Sequence, residues 1–157
     1  MSWNGKPLWF EGMFMHPQHL QQFDRYVDYL VDHRARPLLP YGWGFVSLTI
    51  DRDLLSEGRV AISACQAVLR DGTVIDVPDN DDKPKPYNAS ESAAGKCVLL
   101  AVPIRRKGDQ EVVDAGKPEE QATRFVASDM DVPDITDRDN APVSIRIGHM
   151  NARLMLE

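Results

Sequence analysis

The sequence predicts a mainly β chain, an antiparallel β-sandwich carrying one N-terminal α-helix, and three observations lead there. One amphipathic run bounded by prolines stands near the start, about seven short apolar segments separated by turn residues follow it, and an Asp-Gly pair lies between two of them. Short strands that succeed each other at irregular spacing pair antiparallel. With a single helix to cover them, they must bury their inner faces on one another.

The helix is read over residues 17 to 35. Pro17 suits the first helical position, where its missing N–H is not needed, and Pro37 both ends the helix and disfavours it at Arg36. At ~100° per residue, Leu20, Phe23, Tyr26, Val27, Leu30 and Val31 fall within roughly 140°, the width of a core-facing stripe. Asp24, Asp28 and Asp32 follow one another at spacing four on the opposite side and read as a solvated face. Arg34 falls inside the apolar arc near the helix end. Its stem can lie along the core while its charge meets the negative helix terminus, or it can enter an ion pair across an interface.

After a break at Pro40 and Gly42, Val46, Leu48 and Ile50 mark one face of a first strand. The stretch RVAISACQAVLRDGTVIDV reads as a hairpin in which Asp71-Gly72 supplies a two-residue turn. Residues 78–95 are rich in turn formers and poor in apolar residues, which predicts a long surface loop. KCVLLAVPI is almost continuously apolar and is expected to be buried on both faces, and EVVDAG reads as a short edge strand. TRFVASDM, PVSIRIGHM and ARLMLE supply the last strands, the final two joined by a turn around Gly148 and Asn151. The chain has the length of one domain, so residues 1–157 are read as a single sandwich, and its end within a strand-like run suggests the front part of a longer protein.

Composition narrows the function. With 18 basic against 24 acidic residues the chain lacks the positive surface that nucleic acid or an anionic membrane requires. Cys65 and Cys97 both sit in apolar runs and predict two buried, reduced thiols. Neither a signal-peptide pattern nor a run of ~18 apolar residues is present, so a soluble, unexported chain is expected.

Chemistry-bearing patterns are few. His16 and His19, with Glu11 and Asp24 near in sequence, form a weak candidate metal set and the only basis for a metal-dependent enzyme. Asp79 to Asp82, and the series Asp129, Asp131, Asp134, Asp137 and Asp139, carry oxygen ligands without the spacing and closing Glu of a calcium loop. No phosphate-binding glycine loop or nucleophile elbow occurs, and no cofactor is expected. The most distinctive stretch is WFEGMFM, which packs Trp9, Phe10, Met13, Phe14 and Met15 into seven residues. Together with Trp3 and Arg34 these are the candidate partner-binding residues, because exposed aromatic, Met and Arg side chains anchor protein interfaces. Plugging one end of the sandwich is the alternative for the aromatic residues. A carbohydrate-binding module is the rival binding function, although no aromatic platform with convergent polar groups is evident.

The ordered residues Trp9, Glu11-Gly12-Met13, Pro17-Gln18-His19, Arg25-Tyr26, Pro40-Tyr41, Trp43-Gly44 and Asp71-Gly72-Thr73 resemble the N-terminal part of the TssK family, baseplate subunits of bacterial type VI secretion systems. Arg70 stands where that family has a proline before the Asp-Gly turn. The resemblance implies a β-sandwich like the shoulder domain of phage receptor-binding proteins, a homotrimer, and a structural rather than enzymatic role. It also implies attachment to the wedge proteins TssF and TssG, and a link to the TssJLM membrane complex through a C-terminal head that this sequence lacks. The implied location is cytoplasmic, at the inner face of the envelope.

Overall fold

A computed structural model of the chain describes residues 3–89, 93–115, 123–137 and 140–157. It is mainly β with antiparallel sheets and one long N-terminal helix, the class that the strand pattern predicts. The chain divides into two compact units, Met1–Val46 with Ala67–Val74, and Ser47–Gln66 with Ile75–Glu157.

The first unit is built on α1, Pro17–Ala35, whose bounds coincide with the expected ones. Its start is fixed by a reciprocal contact: the His16 backbone N–H donates to Nδ1 of His19, the third helical residue, at 3.0 Å. Its end is tied down by Arg36, whose Nε donates to Asp32 Oδ1 at 2.9 Å and whose second guanidinium nitrogen donates to the Arg70 carbonyl at 3.1 Å. Gln22 holds the preceding loop, donating from Nε2 to the Trp3 carbonyl at 3.1 Å and the Gly5 carbonyl at 2.7 Å.

The hairpin tip at Arg70–Gly72 differs from expectation. Leu69 and Thr73 close it with an N–H to carbonyl bond of 2.8 Å, and Gly72 N–H donates to the Leu69 carbonyl at 2.9 Å, so the loop has three residues rather than two. The physical reason is Asp71, whose Oδ1 accepts from both the backbone and the hydroxyl of Thr73. Asp71 therefore stays out of the left-handed region, and Gly72 alone adopts it at φ 83°.

Strands β1 (Gly44–Ile50), β3 (Ile62–Val68) and β4 (Val74–Val77) form one sheet in the order β1-β3-β4. Between β1 and β3 lie a short helix α2, Arg52–Ser56, and a two-residue strand β2, Arg59–Val60. The expectation of one helix missed α2, although Asp51 caps it by accepting from the Asp53 and Leu54 N–H groups and Gly58, at φ 78°, ends it. β2 pairs antiparallel with β5, Tyr87–Asn88, so the stretch read as a long loop contributes a strand, and residues 90–92 of that stretch lie outside the described residues.

In the second unit β6, Val98–Ala101, pairs with β10, Arg153–Leu156. Leu99 is exposed while Val98, Leu100 and Ala101 are half-buried, so the expected burial of β6 on both faces does not hold: the side chains alternate between faces, and the face that carries Leu99 is open to solvent. β7 (Val112–Asp114) is the expected edge strand and runs parallel to β8, Phe125–Val132. β9, Val143–Met150, pairs antiparallel with β8 along its whole length, from Phe125 opposite Met150 to Val132 opposite Val143.

The expected turn at Gly148 is a strand position instead. Gly148 lies opposite Ala127, and a Cβ there would come within 3.3 Å of the Phe125 Cβ, so the aromatic side chain occupies the space that glycine leaves. The break falls at Asn151, whose N–H donates to the Arg124 carbonyl at 2.8 Å and whose Nδ2 donates to the Thr123 carbonyl at 2.9 Å. This turn sends the chain from one sheet to another.

The buried apolar set among the described residues is small: Ala61, Ile62, Cys65, Ala67, Ile75, Val77, Val113 and Ala127. A buried carboxylate strengthens it. Asp81 accepts the Asp76 N–H at 3.0 Å and the Met150 N–H at 2.8 Å, tying two distant segments through backbone donors alone. Beside it, His149 Nδ1 donates to the Asn80 carbonyl at 2.8 Å, which leaves Nε2 to accept the Ser128 hydroxyl at 2.8 Å.

Candidate interaction surface

α1 carries the apolar stripe that its periodicity predicts, yet none of it is fully buried. Leu20, Phe23, Val27 and Val31 are exposed, and Tyr26 and Leu30 are half-buried. The expectation of a core-facing stripe is therefore corrected: periodicity identifies the apolar face of a helix and leaves open what packs on it. Asp32, on the other side, is engaged by Arg36 rather than merely solvated.

The loop before the helix continues this surface. Phe14 is 86% exposed, Phe10 69% and Trp9 48%, while Met15 is exposed and Met13 half-buried. Trp9 links loop and helix, its ring lying 6.4 Å from that of Phe23 and 6.3 Å from that of His19. Trp3 behaves differently: it is half-buried, with the Arg25 guanidinium 4.9 Å over its ring, so it packs within the unit. Arg34 is exposed and makes no hydrogen bond or ion pair among the described residues.

Sequence reasoning missed part of this surface. Leu8, Leu38, Leu39 and Tyr41 are also exposed. Tyr41 is the one non-glycine among the described residues at positive φ, 64°, a costly conformation for an aromatic residue. The apolar residues beside Pro37 and Pro40 were the available signal, because prolines keep neighbouring side chains out of a regular packed element. Nearby, Trp43 is covered on one face by the Arg70 guanidinium at 4.4 Å.

The candidate metal sets resolve into hydrogen bonding. His19 Nδ1 accepts the His16 N–H, so its proton sits on Nε2, and the two rings stack with centroids 5.8 Å apart. Asp134 turns its carboxylate onto its own loop, accepting the Thr136 hydroxyl at 2.6 Å, the Thr136 N–H at 2.8 Å and the Asn140 amide at 2.9 Å. The Thr136 hydroxyl foremost, then Asn140, hold its pKa below the usual carboxylate range. Asp139 lies outside the described residues. No group of three or more His, Cys, Asp or Glu is placed to hold a metal ion among the described residues.

The thiols are unlike each other. Cys65 is buried, and burial pushes its pKa up, whereas Cys97 is exposed, which corrects the expectation of two buried thiols. Cys97 lies just before β6, outside the paired strand, so its apolar neighbours do not enclose it. Among the described residues no helix is long and apolar enough to cross a membrane.

Comparison with known proteins gives this surface a context. Residues 19–157 match the family described as "Bacterial Type VI secretion, VC_A0110, EvfL, ImpJ, VasE". The whole chain is 40% identical to the type VI secretion system baseplate component TssK1 of Pseudomonas aeruginosa and spans 35% of that protein's length. A crystal structure of TssK superposes on 98% of the chain with a TM-score of 0.90 at 30% identity, the match covering 35% of that chain. A chain of the type VI secretion TssK-TssF-TssG baseplate subcomplex, solved by cryo-electron microscopy, matches 98% of this chain and 51% of its own length, with a TM-score of 0.84 at 25% identity. The chain belongs to the TssK-type family of bacterial type VI secretion proteins.

Proposed function

We propose that residues 1–157 act as the N-terminal domain of a TssK baseplate adaptor, a structural rather than catalytic module. In this reading the domain trimerises and attaches to the wedge of TssF and TssG on the cytoplasmic side of the envelope. A C-terminal head carried by the longer relatives links it to the TssJLM membrane complex. The partner assignment is supported by the similarity to a chain of the TssK-TssF-TssG subcomplex.

The observation that carries the reading is the uncovered run from Trp9 to Met15 with the apolar face of α1 behind it. Among the described residues, 28 large apolar side chains are exposed against eight buried apolar ones, and four of those eight are Ala or Cys. Exposed aromatic and Met side chains gathered in one short segment, as from Trp9 to Met15, mark a surface that another protein covers. Phe10 and Phe14 are the anchors, because each side chain fully removed from water contributes about 1.5–3 kcal/mol.

Co-purification of the 157-residue chain with TssF and TssG, with mass measured by light scattering, tests the reading. Phe10→Asp and Phe14→Asp are expected to lower wedge capture or trimer mass, each by tenfold or more in affinity, roughly 1.4 kcal/mol. Both substitutions leaving mass and capture intact would remove this segment from either interface.

A further inference from the structure

α1 has more than an apolar face. Leu20, Phe23, Val27, Leu30 and Arg34 recur at alternating spacings of three and four, the seam along which one helix packs on another. Leu20, Phe23 and Val27 are exposed and Leu30 is half-buried. The last seam position is a cation without a partner among the described residues, while its neighbour Arg36 is satisfied by Asp32 and the Arg70 carbonyl. An apolar segment laid along this seam desolvates the Arg34 guanidinium, which is unfavourable unless the segment brings a carboxylate to it.

We infer that the α1 seam docks an amphipathic segment of a partner chain that pairs apolar residues at three- and four-residue spacing with one acidic residue, and that Arg34 selects for that acid. The inference rests on the wedge attachment proposed above and names the chemistry of the segment involved. Continuity supports a shared surface, because Trp9 contacts both His19 and Phe23 and so joins the exposed loop aromatics to the seam. A second copy of this chain is the less favoured occupant. Parallel α1 helices laid seam to seam in register stack Arg34 on Arg34, two like charges that burial between the helices makes costly.

The test measures binding of immobilised TssF–TssG complex by the 157-residue chain and four variants, with oligomer mass and far-UV circular dichroism recorded for each. Arg34→Glu is expected to weaken binding by about tenfold or more and Arg34→Lys by no more than about threefold, with Arg34→Gln losing part of the salt dependence of the wild type. Lys107→Glu, an exposed cation of the other unit, is expected to bind as wild type. Wild-type binding with an unchanged Arg34→Glu variant overturns the role of Arg34 and leaves wedge attachment standing. A loss of oligomer mass in Arg34→Glu with wedge binding intact assigns the seam to a second copy and also overturns the inference. Absence of wild-type binding overturns both readings.

Discussion

Single residues in this chain illustrate how environment decides role. Cys65 and Cys97 both occupy apolar runs, yet one is enclosed and the other is not. A thiol reagent is therefore expected to react at once with one equivalent of native protein and with the second only on unfolding, and Cys97→Ser should abolish the fast phase. The raised Cys65 pKa also has a pH consequence. The folded state holds this proton more tightly than the unfolded state, so the associated stability is present below the ordinary thiol value of 9.0 and is lost as pH rises through the folded value. Denaturation midpoints measured from pH 7 to 11 should fall on the alkaline side, and less steeply in Cys65→Ala.

His19 is similarly defined by one bond. Its Nδ1 holds the His16 N–H at the start of α1, so His19→Ala should destabilise the chain by about 0.5–2 kcal/mol in urea denaturation, the range for a lost helix cap. A histidine recruited to a metal would instead show a stability change on metal addition that the alanine variant lacks.

Elements were legible in the sequence where local chemistry alone decides them. α1 runs between the limits that Pro17 and Pro37 dictate, and the strands from Val98 to the end lie within the apolar segments that predict them. Legibility failed where two local bonds compete or where long-range partners decide. The Asp-Gly tip forms a three-residue loop because Asp71 bonds to Thr73, a local bond that competes with the two-residue turn. Asp81 reads as a loop acid, but its partner Met150 is 69 residues away and no local pattern announces it. Gly148 reads as a turn residue for the same reason, since only the pairing of β8 with β9 brings Phe125 over it.

Two glycines test this account of the elements. At Gly72 a Cβ would lie 2.8 Å from Asp32 Oδ1 and the backbone is left-handed, so Gly72→Ala should cost more than 1 kcal/mol, a roughly estimated floor for such sites. At Gly148 the backbone is ordinary and the obstacle is Phe125 alone. Gly148→Ala should therefore destabilise, by about 1–3 kcal/mol as overpacking does, and a smaller residue at position 125 should relieve it.

For the whole molecule, the apolar side chains that a core would enclose are divided unevenly. Among the described residues, seven of the eight buried apolar ones belong to the second unit and one, Ala67, to the first. Periodicity revealed which face of α1 is apolar but gave no sign that none of it is fully buried, because cover is a property of the assembled fold. A unit with an amphipathic helix, a run of exposed aromatic residues and almost no interior of its own is organised around what it meets. The measurement that bears on this most directly is co-purification of the 157-residue chain with TssF and TssG, with mass by light scattering and hydrogen exchange along α1 in the free and bound states. The account predicts a stable complex in which residues 9–35 gain protection and Phe14→Asp reduces capture. A monodisperse chain that ignores TssF and TssG, or a complex that leaves residues 9–35 as exchangeable as before, would contradict it.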